Sequence, residues 1–263
     1  MTRIGRVDEK IMPSLRKIVR FLNDYLKTDD VEDSSWNGLQ FEGRNTVKKA
    51  AFAVDAGIDA FRMSAEEKAD MLIVHHGHFW DFRNPSVTGW AKERIKILFE
   101  NDISLYVSHN PLDRHKDIGH NAELLKILGA KITGEFFLYH GKNIGWTGEC
   151  KRAVPLKEIE EKLNRELNTV SRVLPFGGKK VRTIAVCSGG GGYSGFYSAL
   201  DAGVDLYITG DAVEIYHTAK DAGINVIFAG HHATETMGLK ALSRILQKKF
   251  EIETVFIDLP TGL

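Results

Sequence analysis

The chain has 263 residues, 43% hydrophobic and 27% charged, and 35 Lys plus Arg balance 35 Asp plus Glu. That profile is an ordinary globular one, long enough for one large domain or two small ones. It lacks the overall basic excess of a general phosphate-backbone binder. Two cysteines, Cys150 and Cys187, neither in a CxxC motif, exclude a disulfide framework and point to free thiols in a reducing cytoplasm.

The opening stretch, "MTRIGRVDEKIMPSL", has neither the apolar core nor the cleavage site of a signal peptide. No run is apolar for long enough to span a membrane, so a cytoplasmic protein is expected. Ile11, Leu15, Ile18, Val19 and Leu22 recur at helical spacing and predict an amphipathic helix. "KTDDVEDSSWNGLQFEG", rich in Asp, Ser and Gly, reads as a loop. Strands and helices then alternate. "VKKAAFAVDA", "DMLIVHHG" and "ISLYVSH" read as strands, and "GIDAFRMSAEEKA", "WAKERIKILFEND" and "NAELLKILGA" as helices.

Residues 131–180 differ. "GEFFLYHGKNIGWTGECKRAV" has strand-like stretches broken by glycines, and "PLKEIEEKLNREL" is a helix begun by proline. The alternation then resumes. "VRTIAVCS", "VDLYITGD", "INVIFAGHH" and "IETVFIDLP" read as strands, with helices at "GYSGFYSALDAG", "AVEIYHTAKDAG" and "TETMGLKALSRILQKKF". The pattern predicts an α/β fold of mixed sheets covered by helices.

The two alternating regions match as a degenerate repeat. "AFAVDAGIDAF…ADMLIVHHG" pairs with "TIAVCSGGGGYSGF…VDLYITGD", and "NDISLYVSHNPLD" with "DAGINVIFAGHHATE". Two similar βαβ lobes are therefore expected, residues 1–130 and 181–263. Residues 131–180 would connect them, and the whole would pack into one compact unit.

The repeat groups the chemistry. His109 and Asp113 form H-x-x-x-D after one strand; His231 and Glu235 form H-x-x-x-E after its partner; His75 and His76 end a third strand. Strand C-terminal ends form the ligand crevice of open α/β sheets, so the metal site is expected between the lobes. Imidazoles and carboxylates together are the ligands of catalytic divalent metals. Adjacent histidines on an extended strand point to opposite sides. Two ions could take one each, with a carboxylate between them. Two cations roughly 3.5 to 4 Å apart are a recurring hydrolytic device. His78, His115, His120, His140 and His217 lack this recurrence and read as solvated or hydrogen-bonded side chains.

"VRTIAVCSGGGGYSGF" offers a rival reading. Gly190, Gly192 and Gly195 fit G-x-G-x-x-G between a strand and a helix, with Asp211 further on, as in a dinucleotide site. The run could equally make a tight turn, or present backbone N–H groups to a substrate phosphate. Phe79, Trp80, Tyr216 and His217 could stack on a base, or serve packing or an oligomer contact.

With these motifs in this order, the chain resembles the GTP cyclohydrolase I type 2 homologue family over nearly its whole length. The matching stretches run from "SSWNGLQFEG" and "MLIVHHGHFW" through "LYVSHNPLDRHKDIGHNAELLKILG" and "TIAVCSGGGGYSG" to "FAGHHATETMGLKALSRIL" and "FIDLP". The resemblance implies metal ligands at His75, His76, Asp113, His231 and Glu235, with Glu235 bridging, and His109 beside the metals. His232 does not match the ligand position. Many members read His-His-Pro where this chain has Gly77, and longer members insert a central domain that this chain lacks. Two similar lobes, a toroidal homohexamer and two divalent ions per chain are implied, the ions being zinc, iron, manganese, cobalt or nickel.

The expected chemistry is metal-assisted hydrolysis. The cyclohydrolase version opens the guanine imidazole of GTP at C8, with His109 as the catalytic proton shuttle. The competing class is a metal-binding scaffold or metallochaperone-like protein without turnover.

Overall fold

In the computed structural model, which describes residues 12–263, two mixed sheets carry the fold. Ile11 and most of the stretch judged free of a signal peptide lie outside the described residues. The first sheet contains β1 (Gly38–Phe41), β2 (Lys49–Asp55), β3 (Met71–His76) and β4 (Ser104–Val107). From the far end of the chain comes β11 (Glu253–Phe256), giving the order β1-β4-β3-β2-β11. The strands β2, β3, β4 and β11 are parallel and β1 is antiparallel to β4. Near-continuous apolar runs such as "AAFAV" and "MLIV" suit strands buried on both faces. Ala50, Phe52 and Val54 of β2 enter one core, and Ala51 and Ala53 the other.

The second sheet contains β5 (Ala130–Tyr139), β6 (Lys142–Pro155), β7 (Arg172–Pro175), β8 (Lys180–Cys187), β9 (Leu206–Thr209) and β10 (Asn225–Phe228). Their order is β5-β6-β8-β9-β10-β7. Its parallel trio β8-β9-β10 repeats the trio β2-β3-β4, and the antiparallel edge β7 against β10 repeats β1 against β4.

Helices cover both faces of each sheet. One face of the first sheet packs on α2 (Ile58–Glu66) and α3 (Gly89–Glu100) through Phe61 and Leu98. The other packs on α1 (Leu15–Leu26) and, from the second repeat, α10 (Met237–Phe250), through Leu15, Ile18, Leu22, Leu239, Leu242 and Leu246. The second sheet is covered on one face by α7 (Gly192–Asp201) and α8 (Tyr216–Ala222). Its other face takes α6 (Leu156–Leu167) and, from the first repeat, α5 (His120–Leu128). Each repeat thus sends its last long helix to the other repeat's sheet. Two four-residue helices follow β4 and β10 at matching places: α4 (Asn110–Asp113) and α9 (His231–Thr234). Among the described residues no helix is long and apolar enough to cross a membrane.

The sheets do not divide the chain at residues 130 and 180. The expected connection supplies β5, β6, α6 and β7 to the second sheet, and β11 returns to pair with β2. β1 lies within the stretch read as a loop, because one buried and three half-buried residues give too little alternation to read.

Candidate metal centre

Strand ends and the two short helices bring the six sequence-selected residues together. His75 and His76 close β3. The alternation that divides Met71 and Ile73 from Leu72 and Val74 predicts opposite directions for the two imidazoles. At the strand end their rings instead lie 4.7 Å apart. Each faces a different oxygen of Glu235: His75 Nε2 is 3.4 Å from Oε1, and His76 Nε2 is 3.3 Å from Oε2. One turn of α9 brings His231 Nε2 within 3.3 Å of Glu235 Oε1. Likewise α4 carries Asp113 to the site, its Oδ2 3.4 Å from His75 Nε2. The ring of His109 sits 5.0 Å from that of His75 and 5.6 Å from that of His76.

The outward nitrogens are tied down. Nδ1 of His75 bonds the Ser108 carbonyl at 2.9 Å, that of His76 bonds Asp55 at 2.8 Å, that of His109 bonds Asp33 at 2.9 Å and that of His231 bonds Asp211 at 2.9 Å. Each Nδ1–H meets an oxygen, so in the neutral form of each ring Nε2 turns a lone pair inward, as metal-ligating histidines do. Ser188 Oγ donates to Asp113 Oδ1 at 2.7 Å. The carboxylates Asp33 and Asp55 were not selected from the sequence, and Asp211 was read there only as the aspartate of a dinucleotide motif. Asp55 closes β2 and Asp211 lies two residues after β9, and a place at a strand end is the one signal that could have found their role.

Burial disfavours the charged form of His75, but the carboxylates of Asp113 and Glu235 outweigh it and hold its pKa up to about 9. His231 is likewise raised, to about 10, against its desolvation by Glu235 and Asp211. Burial acts to raise Glu235, yet His75, His76 and His231 hold it well below the carboxylate range. Asp113 goes the other way, pushed up because burial outweighs its imidazole neighbours.

These residues fit a divalent cation. His75 Nε2 and Glu235 Oε2 are buried with no hydrogen-bond partner among the described residues, an arrangement that is costly unless something else pairs them. Three sets bring their ligand atoms within 4.8 Å of one another: His75, His76 and His109; His75, Asp113 and His120; His76, His231 and Glu235. Nitrogen and carboxylate oxygen suit zinc, iron, manganese, cobalt or nickel. A cavity of about 410 Å³ bounded by Asp55, His76, Asp211, His231 and His232 opens onto the cluster.

The glycine run serves this centre. Gly189 has φ +59°, and a Cβ there would stand 2.0 Å from Glu235 Oε1. The N–H groups of Gly189 and Gly191 are committed to the hydroxyls of Thr234 and Thr209, and Asp211 is held by His231. Gly189 thus admits Glu235, and Asp211, the aspartate of the dinucleotide reading, orients a histidine.

Of the histidines set aside above, His120 joins the cluster and is fully buried. His115 bonds the Tyr25 carbonyl, and His140 and His217 pack on Tyr139 and Tyr216. Trp80 packs on the site, its ring 5.1 Å from that of His109. Its other side lines a cavity of about 400 Å³ with His78, Phe82, Arg83, Trp90 and Arg94. The Arg94 guanidinium lies 5.8 Å from the Phe61 ring and 5.5 Å from that of Trp90. Arg94 Nε and His78 Nδ1 are buried without a hydrogen-bond partner among the described residues. Phe79 packs at a tilt on Trp36, and Tyr216 meets Phe176 edge-on.

Known proteins share this sequence and fold. A protein of Archaeoglobus fulgidus named GTP cyclohydrolase 1 type 2 homolog is 44% identical over 251 residues, covering 95% of this chain and 100% of its own. One of the same name from Pseudomonas aeruginosa is 38% identical over 253 residues, covering 94% of this chain and 98% of its own. A solved structure from Thermus thermophilus superposes with a TM-score of 0.84 at 37% identity, over 95% of this chain and 100% of that one. The profile of the Duf34/NIF3 (NGG1p interacting factor 3) family matches residues 13–261, and with these relatives it establishes that the chain belongs to that family.

Proposed function

We propose that the protein is a dinuclear metal-dependent hydrolase acting on a nucleotide. The observation that carries this reading is Glu235, whose two oxygens face different imidazoles: Oε1 faces His75 and His231, and Oε2 faces His76. In this reading His75 and Asp113 hold one ion, His76 and His231 the other, and Glu235 spans both. Bound divalent ions would supply Lewis-acid polarisation and activated water. His109, whose Nδ1 is held by Asp33, would move a proton at its Nε2. The cavity behind Trp80 supports a nucleotide, since indoles offer stacking surfaces and Arg83 and Arg94 offer charge to a phosphate. The relatives' name, GTP cyclohydrolase 1 type 2 homolog, points to the same substrate class. A closed homohexamer with the centres facing its cavity completes the reading, and sedimentation would test that part.

The decisive experiment incubates metal-loaded protein with GTP and follows the guanine absorption. Turnover that needs metal and is lost in His109→Ala, with metal content retained, supports the hydrolase. An unchanged chromophore with every metal tried rejects the cyclohydrolase reaction. Metal binding without turnover on any nucleotide or phosphoester would leave the scaffold reading in its place.

A further inference from the structure

His120 differs from the other imidazoles of the cluster in one respect. Its Nδ1 accepts a hydrogen bond from the backbone N–H of Gly238 at 3.1 Å. That partner is a donor, whereas His75, His76, His109 and His231 all give their Nδ1–H to oxygen. A ring whose Nδ1 is an acceptor carries its proton on Nε2. The approach is built in: a Cβ on Gly238 would stand 2.9 Å from both the His120 backbone nitrogen and Nδ1, so only glycine lets the chain come this close. The ring is fully buried and stands edge-on to His75 with centroids 4.6 Å apart. Its Nε2 has no hydrogen-bond partner among the described residues, and it groups with the ligand atoms of His75 and Asp113.

We propose that His120 is not a third ligand beside His75 and Asp113 but a fixed N–H donor facing that position, for a small anion held there. The inference rests on the metal reading above. A nitrogen that bears a proton has no lone pair for a cation, and a buried donor with no acceptor is costly until something negative arrives. The inward lone pairs would hold the cation, and the one inward N–H would hold the anion that accompanies it. His120→Asn separates the two roles. The shorter amide keeps an acceptor for Gly238 and removes the inward N–H.

Neutron diffraction from crystals grown with and without zinc should find deuterium on Nε2 of His120 and on Nδ1 of the other four histidines. Cobalt-loaded His120→Asn should keep the metal content of the unaltered protein. Azide, titrated by visible absorption, should bind the variant about tenfold more weakly, the scale of one charge-assisted hydrogen bond. Deuterium on Nδ1 of His120, loss of an ion in His120→Asn, or unchanged azide affinity would each overturn the proposal. Failure of the unaltered protein to take up cobalt would instead bring down the metal reading, and the proposal with it.

Discussion

Gly189→Ala adds a single carbon to the wall of the metal centre. The backbone there has φ +59°, which costs an L residue about 1 to 2 kcal/mol. The new Cβ would stand 2.0 Å from Glu235 Oε1, where ordinary contact begins at 3.4 Å, so loop or carboxylate must yield by the difference, about 1.4 Å. Glu235 cannot yield alone, because its oxygens face His75, His76 and His231 at 3.3 to 3.4 Å. The backbone strain alone should lower Tm by about 2 to 8 °C for a chain of this size. The displaced carboxylate should lower zinc content at both positions, read by elemental analysis after dialysis. Gly178→Ala is the control: a Cβ there meets nothing closer than 3.4 Å. If Gly189→Ala keeps full zinc and melts with Gly178→Ala, the glycine run does not serve Glu235 and the argument from close approach fails.

Glu235→Gln should reduce zinc at both positions and Asp113→Asn mainly at one, since a neutral amide no longer offsets two nearby cations; equal loss in the two variants would contradict bridging. Metal uptake should release protons at neutral pH, because His75 and His231 are held protonated up to about 9 and about 10 and must lose those protons to bind. Affinity should therefore rise with pH across that range, and calorimetry in buffers of different ionisation enthalpy would count the protons. Away from the site, Asp205 is disfavoured as an anion by partial burial but accepts from the N–H groups of Arg182 and Thr183, which hold its pKa below the usual range. A depressed carboxylate contributes stability above its unfolded pKa and loses it as pH falls through the folded value. Asp205→Asn should thus destabilise the protein near neutral pH, with the deficit shrinking in acid denaturation series as pH falls below the usual carboxylate range.

Much of the centre was legible because ligand chemistry recurs in the repeat. His109 with Asp113 and His231 with Glu235 are four residues apart, with His109 capping the start of α4 and Glu235 the end of α9, so one turn of helix sets each pair. The strands β2, β3, β8, β9 and β10 were legible because runs such as "MLIV" and "YIT" are buried on both sides. What stayed hidden depends on partners far along the chain. Asp33 meets His109 across 76 positions, and no local pattern marks it. His120 falls just before the stretch read as a helix, and its partner is the N–H of Gly238, 118 positions away. The spacing of the glycine run fits a phosphate turn, and the approach of Glu235 to Gly189 shows only in the fold.

The exchange of α5 and α10 between the sheets has a consequence for how the chain can be divided. The core under α10 includes Phe52, Ile73 and Tyr106 from the first repeat, and the core under α5 includes Ile184, Ile208 and Ile227 from the second. A half-chain ending after α5 would leave one face of its own sheet covered by α1 alone and carry an apolar helix with nothing beneath it. Two copies of such a half could satisfy each other by lending that helix across a two-fold axis, as in domain swapping. The present chain makes the same loan internally. Its two halves are thereby bound to fold and unfold together, and the strand ends that carry the histidines are held in register by helices neither half could keep for itself.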